Sequence, residues 1–301
     1  MTLLSTLEDR ARLALWVLPV LWAVNMWTAR VAADWVSPHV LALGRWGMAL
    51  AVLVALAWAE LWKHRTVLRQ HAWRYVIMGA CGMWICGAWI YLAGQSTQAI
   101  NISLIYSSAP VLIALGARLW LGERMRPLQW LGVIAAFGGV LHVILKGQWA
   151  TLTTLQLVAG DLWVAAAALA WAVYALLQKR WLGVLGPTAQ LAAIAAGGVL
   201  VLLPFAVWEL TLAHTPPVGA MAWGLMALTA LVPGLGAYWL YGWAQRVLGA
   251  SRTAAALYLG PLYTALMGWL TLDERLGWFH LVGGVLILGG VALVTRPGRS
   301  R

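Results

Sequence analysis

Residues 110–139 read PVLIALGARLWLGERMRPLQWLGVIAAFGG, and residues 261–290 read PLYTALMGWLTLDERLGWFHLVGGVLILGG. One offset of 151 carries Pro110, Glu123, Arg124, Gly132, Gly138 and Gly139 onto Pro261, Glu274, Arg275, Gly283, Gly289 and Gly290. Chance rarely holds a proline, an acid, a base and three glycines in one register. The chain is therefore read as an internal duplication, with one half over 1–150 and the other over 151–301. Each copy is an apolar run, a charged turn and a second, glycine-bearing apolar run.

The setting for those runs follows from the rest of the chain. It has 301 residues, 63% of them hydrophobic and 10% charged, with a mean hydropathy of +0.81. Soluble domains carry about 25% charged residues. A membrane-crossing helix needs about 20 mostly apolar residues. Windows of that length fall at 12–33, 38–60, 74–94, 99–121, 127–145, 159–178, 187–208, 218–243, 251–271 and 277–295. The chain reads as an all-α integral membrane protein of ten spans. The opening residues Glu8, Asp9, Arg10 and Arg12 do not spell a cleavable signal peptide. Two cysteines, Cys81 and Cys86, share one apolar run and do not suggest a disulfide or metal framework.

The net charge of +11 has a topological reading. With the N-terminus in the cytoplasm, sixteen Lys and Arg residues fall in inside segments. Arg30, Lys146 and Arg275 fall outside, and Arg45 lies within a span. This bias places both termini in the cytoplasm of a cell with an inner (plasma) membrane. It directs the basic surface to anionic lipid headgroups and away from nucleic acid. Five spans per copy is an odd number, so the second copy enters from the opposite side. Leu21-Trp22-Ala23-Val24 is echoed by Ala170-Trp171-Ala172-Val173, and Pro38 by Pro187, both at an offset of 149. Inverted repeats of this kind recur in secondary transporters, with substrate bound near the midplane.

Two copies of Pro-x12-Glu-x8-Gly-x5-Gly-Gly on a five-plus-five inverted layout resemble the EamA-type branch of the drug/metabolite transporter superfamily. The tryptophan and tyrosine content, with Gln98-Ala99-Ile100-Asn101 leading to Pro110, is similar to the aromatic amino acid exporters of the YddG type. The resemblance implies a basket of helices around a central cavity, with the 127–145 and 277–295 spans peripheral. It also implies export by alternating access.

Twenty-two tryptophans need explaining. Trp35, Trp58, Trp62, Trp73, Trp120, Trp130, Trp181, Trp208 and Trp278 fall near span ends and read as an interfacial belt. Others align with polar residues at helical spacing. The stripes are Trp22, Asn25, Met26 and Ala29; Trp84, Tyr91 and Gln95; Trp163, Ala167, Trp171, Tyr174 and Gln178; and Gly234, Tyr238, Tyr241 and Gln245. Aromatic bodies with polar tips suit a half-wet cavity, although helix packing would produce the same pattern. The candidate substrate-binding set is Asn25, Arg45, Trp84, Tyr91, Asn101, Tyr106, Ser108, Trp163, Trp171, Tyr174, Tyr238 and Tyr258. Pro110 and Pro261 remove a backbone hydrogen bond at matching depth in their spans and read as static kinks or as hinges.

Arg45 is the intramembrane charge, read either as a carboxylate anchor or gate, or as snorkelling toward Asp34. No Asp or Glu falls mid-span, which suggests downhill flux or coupling through a group at a span end. His64, His71, His142, His214 and His280 are scattered, so no catalytic, metal or cofactor constellation emerges and the chain does not read as an enzyme. The occludable aromatic stripes argue against a channel. Lipophilic cations would call for an intramembrane acid, so amino acids are the favoured small-molecule substrate, with export of lipophilic drugs or cations as the alternative. No partner beyond substrate and lipid is implied, and the chain reads as a monomer.

Overall fold

The computed structural model describes residues 6–32, 34–94, 96, 105–154, 158–181, 183–212, 216–271 and 277–296. Among these every regular element is helical. That is what lipid demands, since a helix satisfies its own backbone groups. The helices are α1 (Leu7–Ala32), α2 (Pro38–Lys63), α3 (Arg65–Gln70), α4 (Ala72–Gly79), α5 (Cys86–Gly94), α6 (Ala109–Trp120) and α7 (Pro127–Ile144). After them come α8 (Ala159–Arg180), α9 (Pro187–Leu210), α10 (Ala220–Thr229), α11 (Tyr238–Leu248), α12 (Ala250–Ala254), α13 (Gly260–Thr271) and α14 (Trp278–Thr295).

Six described helical stretches are long and apolar enough to cross a bilayer: α2, α7, α8, α9, α14 and the continuous stretch Ala220–Leu248. α6 is shorter and apolar. The surface matches this setting, with Leu56, Leu119, Leu162 and Leu281 all more than 70% exposed, where apolar lipid replaces water as the neighbour. Seven of the nine belt tryptophans are exposed, while Trp130 and Trp181 are half-buried. The stretch between the 38–60 and 74–94 windows contains the exposed helix α3, bounded by His64 and His71. α1 starts before its window because Glu8 and Asp9 occupy its first turn, where carboxylates oppose the positive helix end.

The two halves pair through equivalent elements. Gly132 on α7 faces the Gly290 carbonyl on α14, and Gly139 faces that of Gly283. Positions rise along one helix as they fall along the other, so α7 and α14 run antiparallel. Gly132 and Gly283 are repeat equivalents, as are Gly139 and Gly290, so the two contacts exchange under a local two-fold. Both helices also start alike. The Arg126 N–H donates to Gln129 Oε1 at 2.9 Å, and the Gly277 N–H to His280 Nδ1 at 2.9 Å. Gln129 Nε2 then reaches across to the Val294 carbonyl at 2.9 Å.

α2 and α9 repeat the arrangement. Glu209, at the end of α9, accepts the backbone N–H of His39 at 2.8 Å and of Val40 at 3.3 Å. Glu60, at the end of α2, accepts the N–H of Gly186 at 2.5 Å, just ahead of α9. Glu60 and Glu209 stand 149 apart, the same offset as Pro38 and Pro187. Each glutamate therefore caps the partner helix. Glu123 does similar work between the halves. It accepts the N–H groups of Ala250 and Ser251 at 2.7 and 3.1 Å and the Ser251 hydroxyl at 2.8 Å. The chain enters α12 through Gly249 at φ +90°, a conformation that glycine adopts without a steric penalty.

Regular α geometry fails at matching depths. A π-helical stretch, Ala80–Ile85, joins α4 to α5, and another, Ala230–Ala237, joins α10 to α11. The second contains Pro233. The Tyr238 hydroxyl, at the exit of the second stretch, donates to the Gly82 carbonyl in the first at 2.7 Å. Pro110 and Pro261 sit in the first turns of α6 and α13, where a missing N–H costs least. α13 is preceded by a 3₁₀ stretch, Ala255–Leu259. Both prolines thus open a new helical piece instead of interrupting one.

Two predictions follow from these contacts. A Cβ at Gly139 would lie 2.8 Å from the Gly283 carbonyl, and one at Gly290 would lie 2.5 Å from that of Gly132. Gly138 and Gly289 have nothing within 4 Å. Gly139→Ala and Gly290→Ala should each cost about 1–3 kcal/mol, while Gly138→Ala and Gly289→Ala should cost none, read by reversible unfolding in mixed SDS micelles. In the same assay Tyr238→Phe keeps the ring and loses the bond to Gly82, costing about 1 kcal/mol.

Candidate aromatic site between the repeats

Trp22 and Trp171, the equivalents in the Leu-Trp-Ala-Val and Ala-Trp-Ala-Val echoes, meet edge to face at 5.7 Å. Around Trp171 stand Tyr174 at 5.3 Å, Tyr238 at 5.5 Å and Tyr241 at 5.4 Å. Tyr241 also lies 5.6 Å from Trp22. Trp46 closes on Tyr238 at 4.8 Å. The cage thus draws on α1 and α2 from one half and on α8 and α11 from the other. Tyr106, beside α6, is hydrogen-bonded to the Cys86 thiol at the start of α5. That thiol also donates to the Ala167 carbonyl at 3.3 Å.

The cage is deeply buried yet leaves polar atoms unpaired. Trp171, Tyr174, Tyr241 and Gln178 are at most 5% exposed. The Trp171 Nε1, the hydroxyls of Tyr174 and Tyr241, and Gln178 Oε1 have no hydrogen-bond partner among the described residues. Buried polar groups of native proteins are nearly always satisfied. Four such exceptions fall in this one cluster. One end of the cage is held by Gln245, whose Nε2 donates to the Ala175 carbonyl at 2.8 Å. Gln178 packs against Gly242, where a Cβ would sit 2.6 Å from its Nε2.

Arg45 is buried beside the cage. Its Nη1 donates to Asn25 Oδ1 at 2.9 Å. Its guanidinium lies 4.9 Å from the Trp46 ring and 5.7 Å from Tyr238. Asp34, the alternative partner considered from sequence, is exposed.

The sequence-predicted residues therefore fall in several places. Trp171, Tyr174 and Tyr238 form the cage, with Asn25 and Arg45 at its flank and Tyr106 on Cys86. Ser108 closes its own turn, donating to the Ile105 carbonyl at 2.6 Å. Trp84 stacks on Phe205 at 4.4 Å and meets Trp89 at 5.3 Å. Trp163 packs on Trp89 at 4.9 Å and is 44% exposed, at the outer surface. Tyr258 lies with Phe137 in a separate cluster between α7 and α14. Asn101 and the Tyr91 side chain lie outside what the structure describes. Trp22 and Tyr241 belonged to the predicted stripes but not to the predicted set. Trp46 and Cys86 carried no periodic signal. Among the described residues no group of three His, Cys, Asp or Glu could hold a metal ion.

Comparison with known proteins agrees with this architecture. A model of the EamA-like transporter family matches twice, over residues 11–145 and 158–296. A "Probable terminal-alkyne amino-acid exporter" of Streptantibioticus cattleyicolor is 31% identical over 96% of both chains. "Uncharacterized transporter YyaM" of Bacillus subtilis is 30% identical over 87% of this chain and 86% of its own. A "Riboflavin transporter" of Rhizobium johnstonii is 26% identical over 85% of this chain and 81% of its own. A solved crystal structure at 20% identity shares the fold, with a TM-score of 0.77 over 95% of this chain and 97% of that one. With two family units matched and full-length transporter relatives at 30% identity or above, this multi-pass membrane chain belongs to the EamA-like transporter family.

Proposed function

We propose that the chain exports amino acids across the inner membrane, favouring those with aromatic or large apolar side chains. The carrying observation is the cage of Trp22, Trp171, Tyr174, Tyr238 and Tyr241, in which the Trp171 indole N–H and the Tyr174 and Tyr241 hydroxyls find no hydrogen-bond partner among the described residues. Ring faces offer dispersion to a flat or apolar side chain. The unpaired hydroxyls, indole N–H and amide oxygen offer bonds to an ammonium and a carboxylate. Arg45, at the flank, supplies the positive charge that a carboxylate seeks. The amino-acid exporter relative supports this substrate class.

On this reading the ten spans form two inverted units with both termini in the cytoplasm. Substrate gains access alternately from the two sides, and no chemical conversion occurs. Pro110 and Pro261 are the hinges, since both open a new helical piece at equivalent depth. The basic excess supports the orientation. The remaining predicted contacts, Trp84, Tyr91, Asn101, Ser108, Trp163 and Tyr258, rank below the cage residues. The protein acts as a monomer.

The test is counterflow in proteoliposomes over a panel of amino acids, with riboflavin and a lipophilic cation included. L-Tryptophan and L-phenylalanine should exchange well above glycine and aspartate. Tyr174→Phe and Tyr241→Phe should raise the half-saturating L-tryptophan concentration about tenfold, corresponding to about 1.4 kcal/mol. Their unfolding stability should not fall, because neither hydroxyl has a partner to lose among the described residues. Exchange of riboflavin or cation without amino acids overturns the reading, as does indifference to both substitutions.

A further inference from the structure

Away from the cage, a second polar cluster is buried where α2 begins and α9 ends. His39 Nδ1 and Glu209 Oε1 are 2.5 Å apart, with side chains 4% and 7% exposed. His39 Nε2 faces Trp84 Nε1 at 3.4 Å. The His39 ring stacks at 5.5 Å on Phe205, which in turn stacks on Trp84. One small cluster therefore ties together α2, α9 and the π-helical stretch Ala80–Ile85, which carries Trp84.

The proton positions follow from the partners. An indole N–H only donates, so His39 Nε2 accepts and the imidazole hydrogen sits on Nδ1, directed at Glu209. Glu209 also accepts two backbone N–H groups of α2, which holds it as a carboxylate. The cluster thus buries a negative charge on Glu209 against a neutral imidazole. A proton arriving at Nε2 would turn the cluster into a neutral ion pair. It would also convert Nε2 from acceptor to donor, so the Trp84 N–H would face another N–H and that contact could not persist.

Few other charges face the cluster. Ser37 lies beside the carboxylate. On α2 the nearest charge is Arg45, six residues along, and Asp34 in the preceding turn is exposed. α10, which packs on α2, carries no titratable side chain. The segment through Trp84 offers Cys81 and Cys86. Tyr91, Arg30 and His214 lie outside the described side chains.

The pseudo-equivalent position differs in the one respect that matters. His39 corresponds to Thr188 at the offset of 149. There Trp239 Nε1 donates to the Thr188 hydroxyl at 3.0 Å, and Glu60 caps the same helix end. Both ends have a glutamate cap and an indole donor, but only one has an acceptor that can also take up a proton and become a cation.

We propose that His39, held by Glu209, is a proton-binding site whose occupancy releases Trp84 and so couples transport to protons at one end of the bundle. The charge bias assigns that end to the outside.

The test has two arms. In lipid nanodiscs, 19F NMR of 5-fluorotryptophan-labelled protein is followed from pH 8.5 to 5, with the Trp84 resonance assigned by its loss in Trp84→Phe. It should move along a one-proton curve in the wild type and stay fixed in His39→Gln, which keeps an acceptor but cannot charge. His39→Thr, the residue of the equivalent site, serves if the glutamine variant does not fold. A stationary wild-type resonance, or equal movement in the variants, overturns the proposal. In proteoliposomes, L-tryptophan counterflow at matched pH 8.5 and 5.5 should differ at least fivefold in the wild type and be flat in His39→Gln. A variant with the wild-type profile overturns the coupling. Only this arm rests on the amino-acid reading. If no amino acid exchanges, that reading fails while the NMR arm still decides the proton site.

Discussion

The structure depends on how antiparallel helices settle their ends where little water is available. Two such helices side by side place the N-terminus of one against the C-terminus of the other. The first turn of each helix has N–H groups without intrahelical partners. Here Glu60 and Glu209 supply acceptors from the neighbouring helix. A helix would normally find its cap in its own sequence, and neither Ser37 nor Gly186 caps through its side chain. α2 and α9 are therefore capped only as a pair. The glycine contacts of α7 with α14 have the same logic, because a backbone approaching a carbonyl this closely leaves no room for a Cβ. Duplication makes each such solution serve twice, so the two halves define one another's geometry.

Much of this was legible in the chain, and the limits have physical causes. Six of the ten expected spans coincide with described helices long and apolar enough to cross, because lipid enforces a length and a polarity. The repeat was readable because equivalent glycines do equivalent work. The Trp22 and Trp171 echo even named two residues that touch. Periodicity, however, gives a face and not a depth. Trp163 shares a helical face with Tyr174, yet it sits three turns nearer the helix start and reaches the surface against Trp89. The shared spelling marked both members of Gly138-Gly139 and of Gly289-Gly290, whereas the close contacts use only Gly139 and Gly290. His39 and Glu209 stand 170 residues apart at span ends, where nothing in local spacing shows that they meet.

The departures from regular helix lie around the cage. Cys86 and Tyr238 directly follow the two π-helical stretches. Each stretch shifts the hydrogen-bond register by one residue, which re-aims the side chains beyond it. Such a shift in lipid is tolerable only where protein covers the backbone. The bond from Tyr238 to Gly82 shows that coverage, one irregular stretch satisfying a carbonyl of the other. Tyr238 and Tyr241 thus reach the cage from a helix whose register a π stretch has shifted, and Trp84 lies inside the other stretch, whereas Trp22, Trp46, Trp171 and Tyr174 stand on regular helices.

Symmetry also limits what the scaffold can do. Two exactly equivalent halves would make inward and outward arrangements equal in energy, and no condition could favour either. Differences between equivalent positions remove that degeneracy. Arg45 corresponds to the buried Ile194, and His39 to Thr188, both at the offset of 149. Each difference puts charge, or the capacity for it, in one half only. Such asymmetry alone sets populations, because a ligand shifts an equilibrium only by its differential affinity for the two states. Net direction needs a gradient that reaches one of those positions. On the proposed reading a fixed guanidinium such as Arg45 responds to substrate, and it cannot sense protons, since it stays charged throughout the physiological range. Of these two one-sided groups, only an imidazole can take that second role, which is the role proposed for His39.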